Sequence, residues 1–422
     1  MAEKKTGLVL ILAAVMLCLV ACGAPEEKKA KFYAKAKELY GKGDYLMARM
    51  EIKNAILIDP NYVEGYHLLG LIEQKDGNLK SASDAFSKAI ELDPEFSAAQ
   101  VELGHIFLAS GSLDAALENA QTVLAGNPGD SSALMLKGWV FIAQKKPKDA
   151  AVIFEELLGR GEKKPETYLA LAMAYSRNGN SILAERTFGE GIGAYPEFVP
   201  LRLGLARFYS DSSQPVKAES EMQQAIRVEP DKAIHTYLLA NFYLRQGRKQ
   251  EAITKLQAGI DANPKDPALY LLLAMVYERD QDYANAMQVY ERALAEDPDS
   301  WLAANNLAFL IVENKFWKVE LERAKLLVEK AIQQRPHEPA LMDTLGWVHF
   351  RMGDTRKAHS LIEQALAGSP DDAVLNYHMG AVLKGLGRNH AAREKLEKAL
   401  AGGTDFLGKA DAAKLLRELD SN

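Results

Sequence analysis

The chain has 422 residues, 48% hydrophobic and 26% charged, with 8 His, 16 Pro and only 2 Cys. Two cysteines exclude a disulfide-stapled fold, a four-thiolate zinc site and a cysteine-ligated iron–sulfur cluster. A net charge of −6 excludes the basic footprint of a general nucleic-acid binder, and the apolar content excludes a wholly disordered chain.

The N-terminus reads as a targeting signal. Lys4 and Lys5 precede an apolar run from Gly7 to Ala21, followed by Cys22 and Gly23. Fifteen residues fall short of the roughly 20 that a spanning helix needs, so a cleaved signal fits better than a transmembrane anchor. A plain secretory signal would have small residues at the cleavage site. Leu19-Val20-Ala21-Cys22 also resembles the bacterial lipobox. That resemblance implies diacylglycerol on the Cys22 thiol, cleavage before Cys22, and acylation of the new amino group. Three acyl chains would hold the protein on a membrane without spanning it. Gly23, where Asp would favour inner-membrane retention, implies an outer membrane and a periplasm-facing protein. Cys18 would be discarded with residues 1–21, leaving a mature charge of −7 and no free thiol. Residues 22–28, with Pro25 and several Glu and Lys, read as the lipidated Cys and a polar tether.

From residue 29 the chain is periodic. Prolines at 60, 94, 128, 196, 230, 264, 298, 336 and 370 are spaced by 34, with one doubled gap and one gap lengthened by four. Most follow Asp, Asn or Glu, and a Pro beyond an apolar-periodic run ends one helix and turns into the next. Repeats starting at 29, 63, 97, 131, 165, 199, 233, 267, 301, 339 and 373 share two columns of small residues. The eighth position is always Gly or Ala, from Ala36 and Gly70 to Gly346 and Gly380, and the twentieth, after allowing for the insertion, is always Ala. Small residues in such columns let two antiparallel helices approach closely. On these features the chain resembles the tetratricopeptide repeat family, whose period is 34. The resemblance covers residues 29–406 and implies an all-α fold: a right-handed superhelical solenoid of about eleven helix-turn-helix repeats over 29–404. Residues 405–422 supply a C-terminal capping helix and tail, polar on its outer side.

Catalytic motifs are absent from the repeats. His337-Glu338 lacks the second His of a zinc protease, and no Cys-x-x-Cys-His or phosphate-binding glycine loop is present. Gly159-Arg160-Gly161 falls between two helices and reads as a turn. The sequence reads as non-enzymatic, with no metal and no cofactor beyond the lipid on Cys22.

In tetratricopeptide folds the first helix of each repeat lines a groove, and its fifth, ninth, twelfth and thirteenth positions project inward. The resemblance thus makes His67, His105, Trp139, Arg177, Arg207, Tyr237, Asn241, Arg245, Arg279, Asn305, Phe309, Asp343, Trp347, Arg351 and Tyr377 candidate groove residues. Arg and aromatic side chains are enriched at interfaces. Each can also be an interhelical packing residue or a solvated cation near a helix C-terminus. A carboxylate clamp of the chaperone-tail type is excluded, because Tyr237 and Leu272 replace its Lys and Asn. The inserted stretch around Val312 to Glu322 adds Phe316 and Trp317.

The late repeats carry Asn305-Asn306-Leu307-Ala308-Phe309-Leu310, Asp343-Thr344-Leu345-Gly346-Trp347, Tyr377-His378-Met379-Gly380 and Phe406. Over roughly 301–420 they are similar to bacterial tetratricopeptide lipoproteins of the PEP-CTERM/exosortase and exopolysaccharide systems. The implied function is an envelope scaffold that binds partner proteins in exopolysaccharide or protein export. Direct polysaccharide binding by the aromatic and Arg columns, or service to a cell-wall enzyme, are the alternatives.

Overall fold

The computed structural model describes residues 25–313, 320–403 and 405–420. Cys22, Phe316 and Trp317 lie outside the described residues, which form 23 helices and no strand. The chain divides into two compact units, one ending at Ala218 and one starting at Glu219.

The first unit begins with α1 (25–41), α2 (Tyr45–Ile58), α3 (Val63–Lys75), α4 (Leu79–Leu92), α5 (Ser97–Ala109) and α6 (Leu113–Gly126). It continues with α7 (Ser131–Ala143), α8 (Pro147–Gly159), α9 (Pro165–Arg177), α10 (Ser181–Ala194) and α11 (Val199–Asp211). The boundary falls within α12 (Pro215–Val228). The second unit holds α13 (Ala233–Arg245), α14 (Lys249–Ala262), α15 (Pro267–Arg279), α16 (Tyr283–Glu296), α17 (Trp301–Glu313) and α18 (Leu321–Gln334). It ends with α19 (Pro339–Arg351), α20 (Thr355–Gly368), α21 (Ala373–Gly385), α22 (Asn389–Ala401) and α23 (Lys409–Asp420). Odd-numbered helices up to α21 are the first (A) helices of a repeat and even-numbered ones the second (B).

Local chemistry sets each joint. Where α2, α4 and α16 end, the Asp before the proline closes an Asx turn. Asp59 accepts from the Asn61 N–H at 3.1 Å, Asp93 from Glu95 at 3.0 Å and Asp297 from Asp299 at 3.1 Å. Within a repeat, the A-to-B turn needs one left-handed residue. Gly77 and Gly247 fill it at φ +83° and +73°. Lys145, Ser213 and Gln281 take the same position with φ near +60°.

The column of small residues at the eighth position has a steric cause. A Cβ on Gly138 would stand 2.4 Å from the Phe154 ring, and one on Gly346 would stand 2.7 Å from Ile362 and 3.2 Å from the Ala358 carbonyl. The large side chain sixteen residues after each glycine thus occupies the space its Cβ would need. Phe86, Phe154, Phe188, Leu256, Tyr290 and Leu396 fill this column and are fully or almost fully buried.

Polar ties run between successive repeats in each unit. Tyr209 Oη donates to Glu185 at 2.7 Å while Lys217 sits 4.8 Å over the Tyr209 ring. In the second unit Tyr243 Oη donates to Glu219 at 2.8 Å and Arg248 lies 4.5 Å over the ring. At the C-terminal end α23 packs on α21 and α22, burying Ala412 and Leu419 and pairing Glu418 with Lys384 and Asp420 with Arg393.

One boundary differs from expectation. Residues 25–28, read as tether, already belong to α1. Pro25 starts the helix where its missing N–H costs nothing, Glu26 and Glu27 favour its positive end, and Glu27 pairs with Lys31 at 2.8 Å.

Candidate functional site

Two sites in the second unit concentrate chemistry. The first is a buried lattice on the facing A helices α17, α19 and α21. His378 is fully buried, and its Nδ1 lies 2.9 Å from each Asp343 carboxylate oxygen. Its Nε2 lies 3.6 Å from Glu313 Oε1, within ion-pair range but beyond a hydrogen bond. Trp347 Nε1 donates to that same Glu313 oxygen. The Trp347 ring stacks on His378 at 4.0 Å and on Phe350 at 5.0 Å. Burial alone would depress the imidazolium, but the Asp343 and Glu313 carboxylates outweigh it and raise its pKa to about 9. The ring is therefore charged at neutral pH. Beside it, Asn305, Phe309, Pro339 and Asp343 line a cleft of about 330 Å³.

The second is an open cleft of about 500 Å³ between α13 and α15. Leu244, Leu272, Met275 and Val276 supply apolar wall, with Met275 exposed to 60%. Arg245 and Arg279 end their helices at equivalent positions and both line the cleft. Both are exposed, and neither guanidinium meets a carboxylate among the described residues. Asp280 also lines the cleft, but Lys249 pairs with it at 2.5 Å. Two unengaged planar cations beside an exposed thioether suit a carboxylate next to an apolar side chain. A wider depression of about 590 Å³ lies between the turns at Asp231–Ile234 and Asn263–Asp266 and gathers no such set of groups.

The repeats are also matched in sequence by a known family. A tetratricopeptide repeat family model matches residues 67–118, 101–165, 203–267, 250–300 and 344–405, more than half of the chain. The chain is a tetratricopeptide repeat protein. No curated protein sequence matches it. Among solved structures it is similar to a tetratricopeptide repeat protein from Parabacteroides merdae, at 22% identity over 59% of this chain and 99% of that one, TM-score 0.47. It is also similar to Pseudomonas aeruginosa pilF, at 18% identity over 52% and 99%, TM-score 0.42. Yeast Tom70 aligns at 13% identity over 94% and 96%, TM-score 0.38.

In this tetratricopeptide repeat protein the fifteen candidate groove residues divide. Arg177, Arg207, Arg245 and Arg279 are exposed. Arg207 faces Asp211 at 3.8 Å, one turn along its own helix. Tyr237, Asn241, Phe309 and Arg351 are half-buried, and Asn241 Nδ2 donates to the Tyr237 carbonyl at 3.1 Å. His67 packs on Phe86 and Phe96, with ring centroids 5.8 and 5.3 Å away, and Trp139 packs on Phe154 at 5.9 Å. Burial lowers the pKa of His67 and His105, so both are neutral at pH 7.

Four candidates are interior residues instead. Asn305, Asp343, Trp347 and Tyr377 are 3–7% exposed. Asp343 is committed to His378, while Trp347, stacked on His378 and Phe350, is too deeply buried for a sugar ring to reach its faces. Tyr377 packs between Trp347 at 5.5 Å and Phe406 at 6.0 Å. Sequence reasoning missed Glu313 and His378 as partners. Their signal was a Glu at the thirteenth position, where neighbouring repeats hold Arg279 and Arg351, and a His at a sixth position mostly held by uncharged residues.

Among the described residues no helix is long and apolar enough to cross a membrane, and no group of three His, Cys, Asp or Glu is arranged to hold a metal ion.

Proposed function

We propose that this chain is a non-enzymatic scaffold of a bacterial envelope, held to a membrane by lipid on Cys22, that binds partner proteins along the A-helix groove of its second unit. Tetratricopeptide repeat proteins generally bind protein partners. The single observation that carries the reading further is the α13/α15 cleft, where Arg245 and Arg279 flank an exposed Met275. In a chain of net charge −6, this local pair of free cations selects an acidic segment with an adjacent large apolar residue. The partner is a protein segment of that kind. The likeness of residues 301–420 to envelope lipoproteins supports an outer-membrane, periplasm-facing setting in exopolysaccharide or protein export. Glycan binding through aromatic faces is not favoured, because Trp347 is deeply buried.

An array of synthetic peptides tests the partner class. Retained peptides should share an acidic residue beside a large apolar one, and R245E/R279E should weaken their binding at least tenfold in fluorescence anisotropy. Retention of basic peptides, or equal binding by the charge-reversed variant, would contradict the assignment.

A further inference from the structure

Helix α2 is apolar on two opposite faces. One face buries Ala48, Ile52 and Ala55 against the core. At 100° per residue, Leu46, Met50, Lys53 and Leu57 fall in one stripe about 60° wide on the other side. Leu46 is 65% exposed, Met50 54% and Leu57 80%. A helix that is apolar on both faces needs a second apolar surface to cover it.

The repeat register supplies an internal control. At the positions of Leu46, Met50 and Leu57, α4 carries Lys80, Asp84 and Glu91, and α14 carries Gln250, Thr254 and Asp261. No other B helix places more than one large apolar residue there; examples are Val152 in α8 and Ile182 in α10. The stripe is therefore a property of the first repeat and not of the fold.

Two further facts identify what covers it. Residues 25–58 hold eight Lys or Arg against five Asp or Glu, a net +3 in a chain of −6. Lys28, Lys37 and Lys53 are exposed and form no ion pair among the described residues, and Lys53 lies within the stripe itself. The other fact is reach. Only two residues, Gly23 and Ala24, separate Cys22 from the start of α1, a span of at most about 11 Å. Lys29 pairs with Asp59 at 2.8 Å, which holds the Leu57 end of α2 beside the first turn of α1.

We infer that the α1–α2 hairpin rests on an anionic lipid surface, with Leu46, Met50 and Leu57 entering the headgroup boundary. The placement beside the bilayer rests on the reading of Cys22 as the lipid-bearing residue. Lys53 reaches headgroup phosphates from within the stripe, and Lys28 and Lys37 add attraction from α1. The contact fixes how the repeats leave the membrane, which a flexible anchor alone would not do.

The chain from residue 22 onward with Cys22→Ser contains every described helix and no acyl chain, so it separates this contact from the anchor. Co-sedimentation with vesicles of phosphatidylethanolamine and phosphatidylglycerol (7:3) should show binding. Salt should weaken it, and pure phosphatidylcholine should reduce it. L46S/M50S/L57S should lower the partition coefficient at least tenfold, while I182S/V216S leaves it unchanged. All substituted side chains are exposed, so circular dichroism should report the same fold. Absence of vesicle binding, or equal binding by L46S/M50S/L57S, overturns the inference. So does a parent chain that dimerises without vesicles and becomes monomeric in that variant, since the stripe would then face a second copy. Failure of the anchor reading shows separately, as loss of lipid labelling at Cys22 with vesicle binding intact.

Discussion

His378 holds a proton that burial alone would remove. A buried imidazole between Asp343 and Glu313 ties three successive A helices through charge. Its folded-state pKa, raised to about 9, lies above the roughly 6.5 of a free imidazole. The stabilisation is thus fully present below pH 6.5 and is lost as pH rises through 9. Replacing His378 with Asn leaves two buried carboxylates without their cation and should cost about 3–5 kcal/mol in urea unfolding at pH 6. The gap between wild type and variant should narrow by pH 10; a gap constant across that range would refute the charge assignment. The sequence showed Asp343 and Trp347 as candidate groove residues but not their burial, and His378 only as part of a late-repeat motif. A groove position and an interhelical position differ by a single step along the helix, and which one Asp343 takes depends on where His378 offers it a partner.

At the scale of elements, the repeat register was almost fully legible because each joint is local chemistry. Asp59 and Asp93 before their prolines make their own Asx turns, and Gly70, Gly138, Gly346 and Gly380 are forced by the ring or branched side chain sixteen residues later. The start of α1 was less legible, since Glu and Lys at 26–31 suit a solvated tether and a helix stabilised by i,i+4 pairs equally well. The A-to-B turn offers a test. Gln281 holds φ +59° where Gly247 holds +73° in the preceding repeat. Since a left-handed conformation strains a residue with Cβ, Gln281→Gly should stabilise the chain by about 0.5–1 kcal/mol. Calorimetry should record a higher Tm; an unchanged or lower Tm would mean that the Gln281 side chain contributes more than its backbone loses.

For the whole molecule, family and fold follow from the repeats, whereas the proposed membrane anchor and partner rest on a few residues, Cys22 and the α13/α15 cleft. Cys22→Ala should move the protein from the membrane to the soluble periplasmic fraction and abolish its labelling by a palmitate analogue. Membrane partitioning and labelling equal to wild type would remove the anchor. The partner was only partly legible, because the sequence could not rank fifteen groove candidates. The structure leaves Arg245 and Arg279 beside Met275 as an open, unengaged set, while Trp347 and Tyr377 serve the interior. Partner capture at that cleft can be read in living cells with a photo-crosslinking amino acid at position 275. A discrete protein adduct should form in the envelope fraction and disappear in R245E/R279E; no adduct, or the same adduct in the charge-reversed chain, would rule out capture at the cleft.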